Sequence, residues 1–511
     1  MDARDERGAA WMAAGYALAT AEPGVVVVSN TPALTNAMTA LADSNASGIP
    51  LLCITGGVGT DQRGRGHPGD ADQAAIARSA VSWAARVEHA NAAGSMTARG
   101  FKGAPTDGRP RRGGVSVLEL PMDVQHAIAD DAEVFHQTLK RFTPAPDQIA
   151  EVRRALSDAK RPVILAGEGC WWTGAGDALR DLVERARIPV FTVRAARGLI
   201  SDDHELCFGF PNLMTPPAQL MFGEADVVLV LGARLDILLG NGAFHPGCTL
   251  IRVDADPEAF TLGRKAEIEI CANPNDVVEA LAEGAEPVAA EDWLRRLREA
   301  EDARRLEVAK RARINTQPLH PGRMIAEVAR ALPNDAAVCV DAGELALWAI
   351  DGIPARTPSS FHASSTSPLG ALGMGLPWAI GMKVARPERP VLALVGDGSF
   401  GFTAIEIETS ARHEAPVGVV VGNDGGWGIV RHLQQELHGR ALASDLPRSP
   451  YELLAEFAGG VGDRVETSKQ LEIAVANAVV AKVPSVVNVI IDPAARHQAI
   501  NLIAAMFAAK R

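Results

Sequence analysis

The chain has 511 residues, 47% of them hydrophobic and 22% charged, the composition of a globular protein long enough for about three domains. Lysine and arginine total 50 against 62 acids, a formal charge of -12, and no basic stripe runs along the sequence, so nucleic-acid binding is not expected. The longest apolar runs are strand-length and the N-terminus is polar and acidic, so neither a membrane span nor a signal peptide is expected.

In chain order, apolar runs at 25–29, 51–55 and 114–119 read as strands and alternate with helical patterns over residues 1–125. A polar stretch with Pro144 and Pro146 follows and reads as a linker. Residues 146–285 repeat the alternation, with strands expected at 163–166, 190–193, 227–231 and 250–253. An acidic segment at 283–291 leads into a charged helix expected at 293–313, a solvated connector. Residues 318–511 alternate again, with strands at 337–340, 391–395 and 417–421 and a helix at 404–413. The pattern predicts an α/β chain of three consecutive doubly wound domains with parallel sheets. Six cysteines lie scattered without CxxC spacing and read as buried free thiols in a reducing cytoplasm.

Two strand ends carry the most information. Gly396-Asp397-Gly398-Ser399 follows the strand at 391–395, and Asn423-Asp424-Gly425-Gly426 follows the one at 417–421. Both acids would sit at the carboxyl ends of parallel strands in one β-α-β unit, where open α/β sheets bind ligands. Two hard oxygen ligands beside glycine backbone suit Mg²⁺ bridging a diphosphate. A Gly-Asp-Gly run is also an ordinary turn, but further segments agree.

Together these motifs resemble the cofactor signature of thiamine-diphosphate enzymes. The likeness extends to residues 4–17 (RDERGAAWMAAGYA), Gly24 to Val28, Thr35-Asn36, Leu41-Ala42-Asp43 and Gly48-Ile49-Pro50. It continues at 231–236 (LGARLD), at 368–381 (PLGALGMGLPWAIG) and from Gly422 through His432, and is closest to the acetolactate-synthase-like branch. The resemblance implies a pyrimidine-binding domain at 1–125, a central Rossmann-like domain at 146–285 and a diphosphate- and Mg²⁺-binding domain at 318–511. It makes Glu6 the catalytic carboxylate that hydrogen-bonds N1′ of the aminopyrimidine and so prepares removal of the C2 proton. Leu372, in the loop with Gly370, would wedge between the cofactor rings. Asp341, Gly343 and Glu344 would approach the diphosphate and pyrimidine side. Gly396, Gly398, Ser399 and Ile429 would line the diphosphate, and Asp397, Asp424 and the Gly426 carbonyl would hold Mg²⁺. FAD or ADP in the central domain, at Arg234, stays open.

The implied activity is cytoplasmic decarboxylation of a 2-oxo acid with carboligation, as in acetolactate synthases. A 2-oxo acid or oxalyl-CoA-type decarboxylase or lyase, or a non-catalytic paralogue, is the alternative. Sites shared between subunits imply a homodimer or homotetramer. Three departures stand out. The family places roughly another β-α-β unit before the glutamate, so the first domain is expected to be incomplete and Glu6 to lack a supporting strand. His67-Pro68-Gly69-Asp70-Ala71-Asp72 stands where acetolactate synthases usually have Phe-Gln-Glu before Ala-Asp, and Ser29-Asn30-Thr31-Pro32 replaces a Ser-Gly-Pro-Gly turn. His67, His362 and His432 are the histidines nearest these motifs; each is more often structural than catalytic. Trp427 could wall the pocket or pack in the core.

Overall fold

Continuous apolar runs such as VVLVL at 227–231 bury every residue, as strands covered by helices on both faces must. The structure, a computed structural model, describes residues 1–101, 113–130 and 142–508. Part of the linker expected before Pro144 lies outside the described residues. The strands form three sheets, and every strand pair among the described residues is parallel. The first sheet holds β1 (Gly24–Val28), β2 (Leu51–Gly57), β3 (Trp83–Arg86) and β4 (Val115–Pro121) in the order β1-β2-β4-β3. The second holds β5 (Pro162–Ala166), β6 (Val190–Thr192), β7 (Val227–Leu231), β8 (Thr249–Asp254) and β9 (Ile268–Cys271), ordered β6-β5-β7-β8-β9. In the third lie β10 (Ala337–Val340), β11 (Phe361–Ala363), β12 (Val391–Gly396), β13 (Gly418–Asn423), β14 (Val461–Val465) and β15 (Ser485–Ile490). Their order is β11-β10-β12-β13-β15-β14. The helix expected at 404–413 forms at Glu406–Arg412, and the charged connector at Glu291–Arg311. The cysteines are free; five are buried, but Cys271 is exposed, because it ends the half-exposed strand β9.

The second sheet has an apolar core of its own. The first and third sheets share one. Period-2 alternation explains the sharing: Ala337, Cys339, Val391, Ala393, Val395, Val419 and Val421 face the first domain. Val338, Val340, Leu392, Leu394 and Val420 face the opposite helix layer.

The shared core centres on two helices, Glu6–Thr20 and Gly375–Ala385. The first is rich in Ala and Gly and buried on nearly every side, which fits a helix enclosed between layers. Glycines let the two backbones touch. A Cβ on Gly15 would lie 2.7 Å from the Trp378 Cα, and one on Gly381 would strike the Met12 carbonyl. Trp11 and Trp378 flank this contact edge-to-face, 6.1 Å between ring centroids. Asp5 caps the first helix by accepting hydrogen bonds from the Arg7 and Gly8 N–H groups. Gly381→Ala should therefore cost about 1–3 kcal/mol of stability, as overpacking does in a dense core, read as a lowered urea midpoint at unchanged slope.

Candidate functional site

The carboxyl ends of β10, β12 and β13 open onto one cavity, lined by Gly343, Glu344, Leu372, Gly396, Asp397, Gly398, Ser399, Asp424, Gly426 and Ile429. Asp397 follows β12 and Asp424 follows β13; β12 and β13 pair in register from Leu392 and Gly418. Asp397 is buried and accepts the Gly426 N–H at 3.1 Å. Burial, then the Asp424 carboxylate, pushes its carboxyl up to about 7. Asp424 is raised as well, chiefly by burial, against the pull of Arg431, whose Nη1 lies 3.2 Å from it. Arg431 also donates to the Gly425 carbonyl at 2.9 Å. Two carboxylates set against each other, one buried and one half-buried, make an arrangement that a divalent cation would relieve. No cluster of three or more acidic, His or Cys side chains that could hold a metal occurs among the described residues. A carboxylate pair would suit Mg²⁺, which takes one or two carboxylates and leaves its other positions to phosphate oxygens and water.

The backbone suits an anion. Helix Glu344–Gly352 and helix Gly428–His438 both begin at this cavity. Their unpaired first-turn N–H groups and dipoles favour negative charge there. Gly343 enters the first helix at φ 113, a conformation glycine alone adopts freely. Gly398 packs under Trp427, where a Cβ would meet the indole ring at 2.7 Å. Trp427 itself is half-buried and lines the cavity.

One side chain opposes this charge logic. Glu344 places a buried carboxylate in the same cavity. His432 pairs with it. The imidazole Nδ1 lies 2.5 Å from Glu344 Oε2, and Nε2 lies 3.0 Å from the Pro493 carbonyl. Both nitrogens face oxygen atoms, an arrangement that favours the doubly protonated ring. The Glu344 hydrogen bond raises the His432 pKa accordingly. The sequence offered His432 as one of several histidines and gave no sign of its partner.

Other expected residues lie elsewhere. Asp341, expected to approach the cofactor, does not line the cavity. It is buried and accepts the N–H groups of Ala342, Gly373 and Gly375, at 2.8, 3.2 and 2.9 Å. It braces the loop that presents Leu372, and burial lifts its carboxyl to about 6. Gly370 is exposed at φ 62, off the cavity. Glu6, half-buried in the first turn of its helix, accepts from Asn36 Nδ2 at 3.1 Å and lines a different cavity, beside β1. Within one chain, then, Glu6 and the aspartates open onto separate cavities. His67 is exposed, whereas the Thr31 hydroxyl holds the neighbouring Gly69 carbonyl at 2.7 Å. His362 is buried on β11, 3.0 Å from the Ser359 hydroxyl, and burial drives its pKa down to about 3. Arg234 engages Glu168 and the Ala46 carbonyl.

Comparison with known proteins agrees with this geometry. Residues 1–76 match the family described as thiamine pyrophosphate enzyme, N-terminal TPP binding domain. Residues 149–281 match its central domain and 341–489 its C-terminal TPP binding domain. A probable acetolactate synthase of Mycobacterium bovis is 33% identical over 499 residues, covering 96% of this chain and 89% of that protein. The oxalyl-CoA decarboxylase of Escherichia coli is 28% identical over 96% of this chain and 88% of its own. In fold, the chain superposes on a thiamine diphosphate-dependent 4-hydroxybenzoylformate decarboxylase of Rhodococcus jostii RHA1 with a TM-score of 0.82, at 22% identity, covering 96% and 91% of the two chains. Taken with the two aspartates at adjacent strand ends, these matches show that the chain belongs to the thiamine pyrophosphate enzyme family.

Proposed function

We propose that the chain binds thiamine diphosphate with Mg²⁺, decarboxylates a 2-oxo acid and joins the remaining acyl unit to a second carbonyl compound, as acetolactate synthases do. The observation that carries this reading is the convergence of Asp397, Asp424 and two helix N-termini on one cavity. Bound there, the cofactor supplies an electron sink at its thiazolium carbon. Asp397, Asp424 and the Gly426 carbonyl hold the cation, and the first-turn N–H groups after Gly343 and Trp427 take diphosphate oxygens. Leu372 lines the cavity from a loop fixed by Asp341 and would pack against the bound cofactor's rings. Trp427 and Ile429 exclude water on the apolar side. Glu6 holds a proton at N1′ of the aminopyrimidine. Because Glu6 and the aspartates line separate cavities, a complete site requires a second copy of the chain, which supports a homo-oligomer.

A decarboxylase or acyl-CoA lyase is the second reading, favoured by relatives of those names at the same 28% identity as several acetolactate synthases. Incubating the loaded enzyme with pyruvate alone separates the two. Acetolactate supports carboligation; aldehyde, or no turnover of pyruvate, supports the second reading.

Titration of the protein with thiamine diphosphate and Mg²⁺ should give Mg²⁺-dependent binding. Asp397→Ala should weaken it by at least about tenfold, since even groups behind the metal ligands contribute that much. A folded variant that binds as well as the parent would refute the cation site. The Glu344–His432 pair predicts a pH dependence as well. His432 gains its partner on folding, so its contribution is complete below its ordinary value of 6.5 and is lost as pH rises through the raised one. The stability advantage of the parent over His432→Gln, from urea midpoints, should be largest near pH 6 and shrink towards pH 9.

A further inference from the structure

Glu406 is a completely buried carboxylate with no part in the chemistry above. It opens the helix Glu406–Arg412, just after the segment that carries Asp397. Its partners are the peptide groups immediately ahead of Glu6. Glu406 Oε1 accepts the Asp5 N–H at 3.0 Å, and Oε2 accepts the Arg4 N–H at 3.3 Å and the Thr409 hydroxyl at 2.6 Å. Isolated carboxylates are costly to bury, and three donors aimed at one offset that cost. Gly8 leaves room for the contact; a Cβ there would come within 2.9 Å of the Glu406 carboxyl carbon. The surrounding segment grips the same turn. Arg7 Nη2 donates to the Phe402 carbonyl at 2.9 Å, and Arg4 Nε to Glu408 at 2.7 Å. Thr403 donates to the Gly373 carbonyl at 2.7 Å and so ties this segment to the loop that bears Leu372.

We propose that Glu406 is the positioning residue for Glu6: it clamps the two peptide N–H groups that precede the helix and so sets the direction in which the Glu6 carboxylate points. This rests on the reading of Glu6 as the carboxylate at N1′. Asp5 caps the helix from inside its own turn. Glu406 is the fully buried group that fixes that turn to the third domain; the Arg7–Phe402 hydrogen bond beside it is exposed, and the Arg4–Glu408 pair is a half-exposed ion pair of little energetic weight. A side chain that must meet one ring nitrogen tolerates little drift, since about 1 Å of misplacement costs on the order of a hundredfold in rate.

The test measures how fast the C2 proton of enzyme-bound thiamine diphosphate exchanges for deuterium, in the Mg²⁺-loaded enzyme without substrate. Cofactor affinity is measured alongside. Glu406→Gln keeps one acceptor and turns an NH₂ towards the Arg4 N–H; it should slow exchange by about threefold to tenfold. Glu406→Ala should slow it by about tenfold to a hundredfold. Both should leave cofactor affinity within about threefold of the parent, because Glu406 lies outside the diphosphate cavity. In a Glu6→Gln background neither change should slow exchange further, because residues that act as one unit are not additive. Exchange within twofold of the parent in Glu406→Gln would overturn the role, and this holds even if the alanine variant fails to fold. An undiminished loss in the Glu6→Gln background would also overturn it, as general structural damage. If Glu6→Gln itself exchanges at the parental rate, the assignment of Glu6 falls and takes the clamp with it. Slow Glu6→Gln beside normal Glu406 variants removes the clamp alone.

Discussion

Everything at the proposed site depends on the contact between helices Glu6–Thr20 and Gly375–Ala385. Their backbones meet where Gly15 and Gly381 present no side chains, so the first and third sheets share one apolar core. That closeness sets the registry between two strand-end regions with different tasks. The Gly-rich loop before Gly375 presents Leu372, and the turn before Glu6 rests on Glu406. A bulkier pair of helices would separate those regions by the width of a side chain. Dense interiors relax only partly, so the displacement would reach both.

The diphosphate cavity resolves an electrostatic conflict. Asp397, Asp424 and Glu344 place three carboxylates around a space that also suits a polyanion. Two of them have a counterweight. Arg431 holds Asp424 and, through the Gly425 carbonyl, the turn beside it. His432 lies at hydrogen-bond distance from Glu344, and that contact favours its protonated form. The Asp397–Asp424 pair retains unrelieved repulsion, which adds to burial in raising the pKa of Asp397. A divalent cation between the two carboxylates would relieve that repulsion. Burial strengthens these terms, since screening by water is weak there.

Some of this was legible in the chain and some could not be. Strands β5, β7, β12 and β13 are apolar on both faces and announce themselves as buried parallel strands. β14, with the sequence VGDRV, is half-exposed at a sheet edge and carries no such pattern, and β11 is three residues with a histidine in the middle. Asp397 and Asp424 were legible because a strand end and a glycine-flanked acid are local features. The tasks of Asp341, Glu344 and Glu406 were not, because each is set by its partners in space. Asp341 is an acid at a strand end like Asp397, yet its oxygens are spent on the loop's own N–H groups. The Asp5–Glu406 contact joins residues 401 positions apart, and nothing local to either marks it. The turn ahead of Glu6 is held in the structure by this long-range anchor.

That separation also bears on how the chain is made. At about 5–20 residues per second, roughly 20–80 seconds pass between synthesis of the Glu6–Thr20 helix and synthesis of its anchor at Glu406. During that interval a helix that ends up buried on nearly all sides has its own domain to pack on but lacks the helix Gly375–Ala385 that covers its other face. The central sheet, with a core of its own, can close in the meantime. The first sheet is thus the first to emerge and among the last to finish. Apolar surface left open on that helix until the third domain arrives is prone to association, so the aggregation hazard during synthesis falls on the first domain.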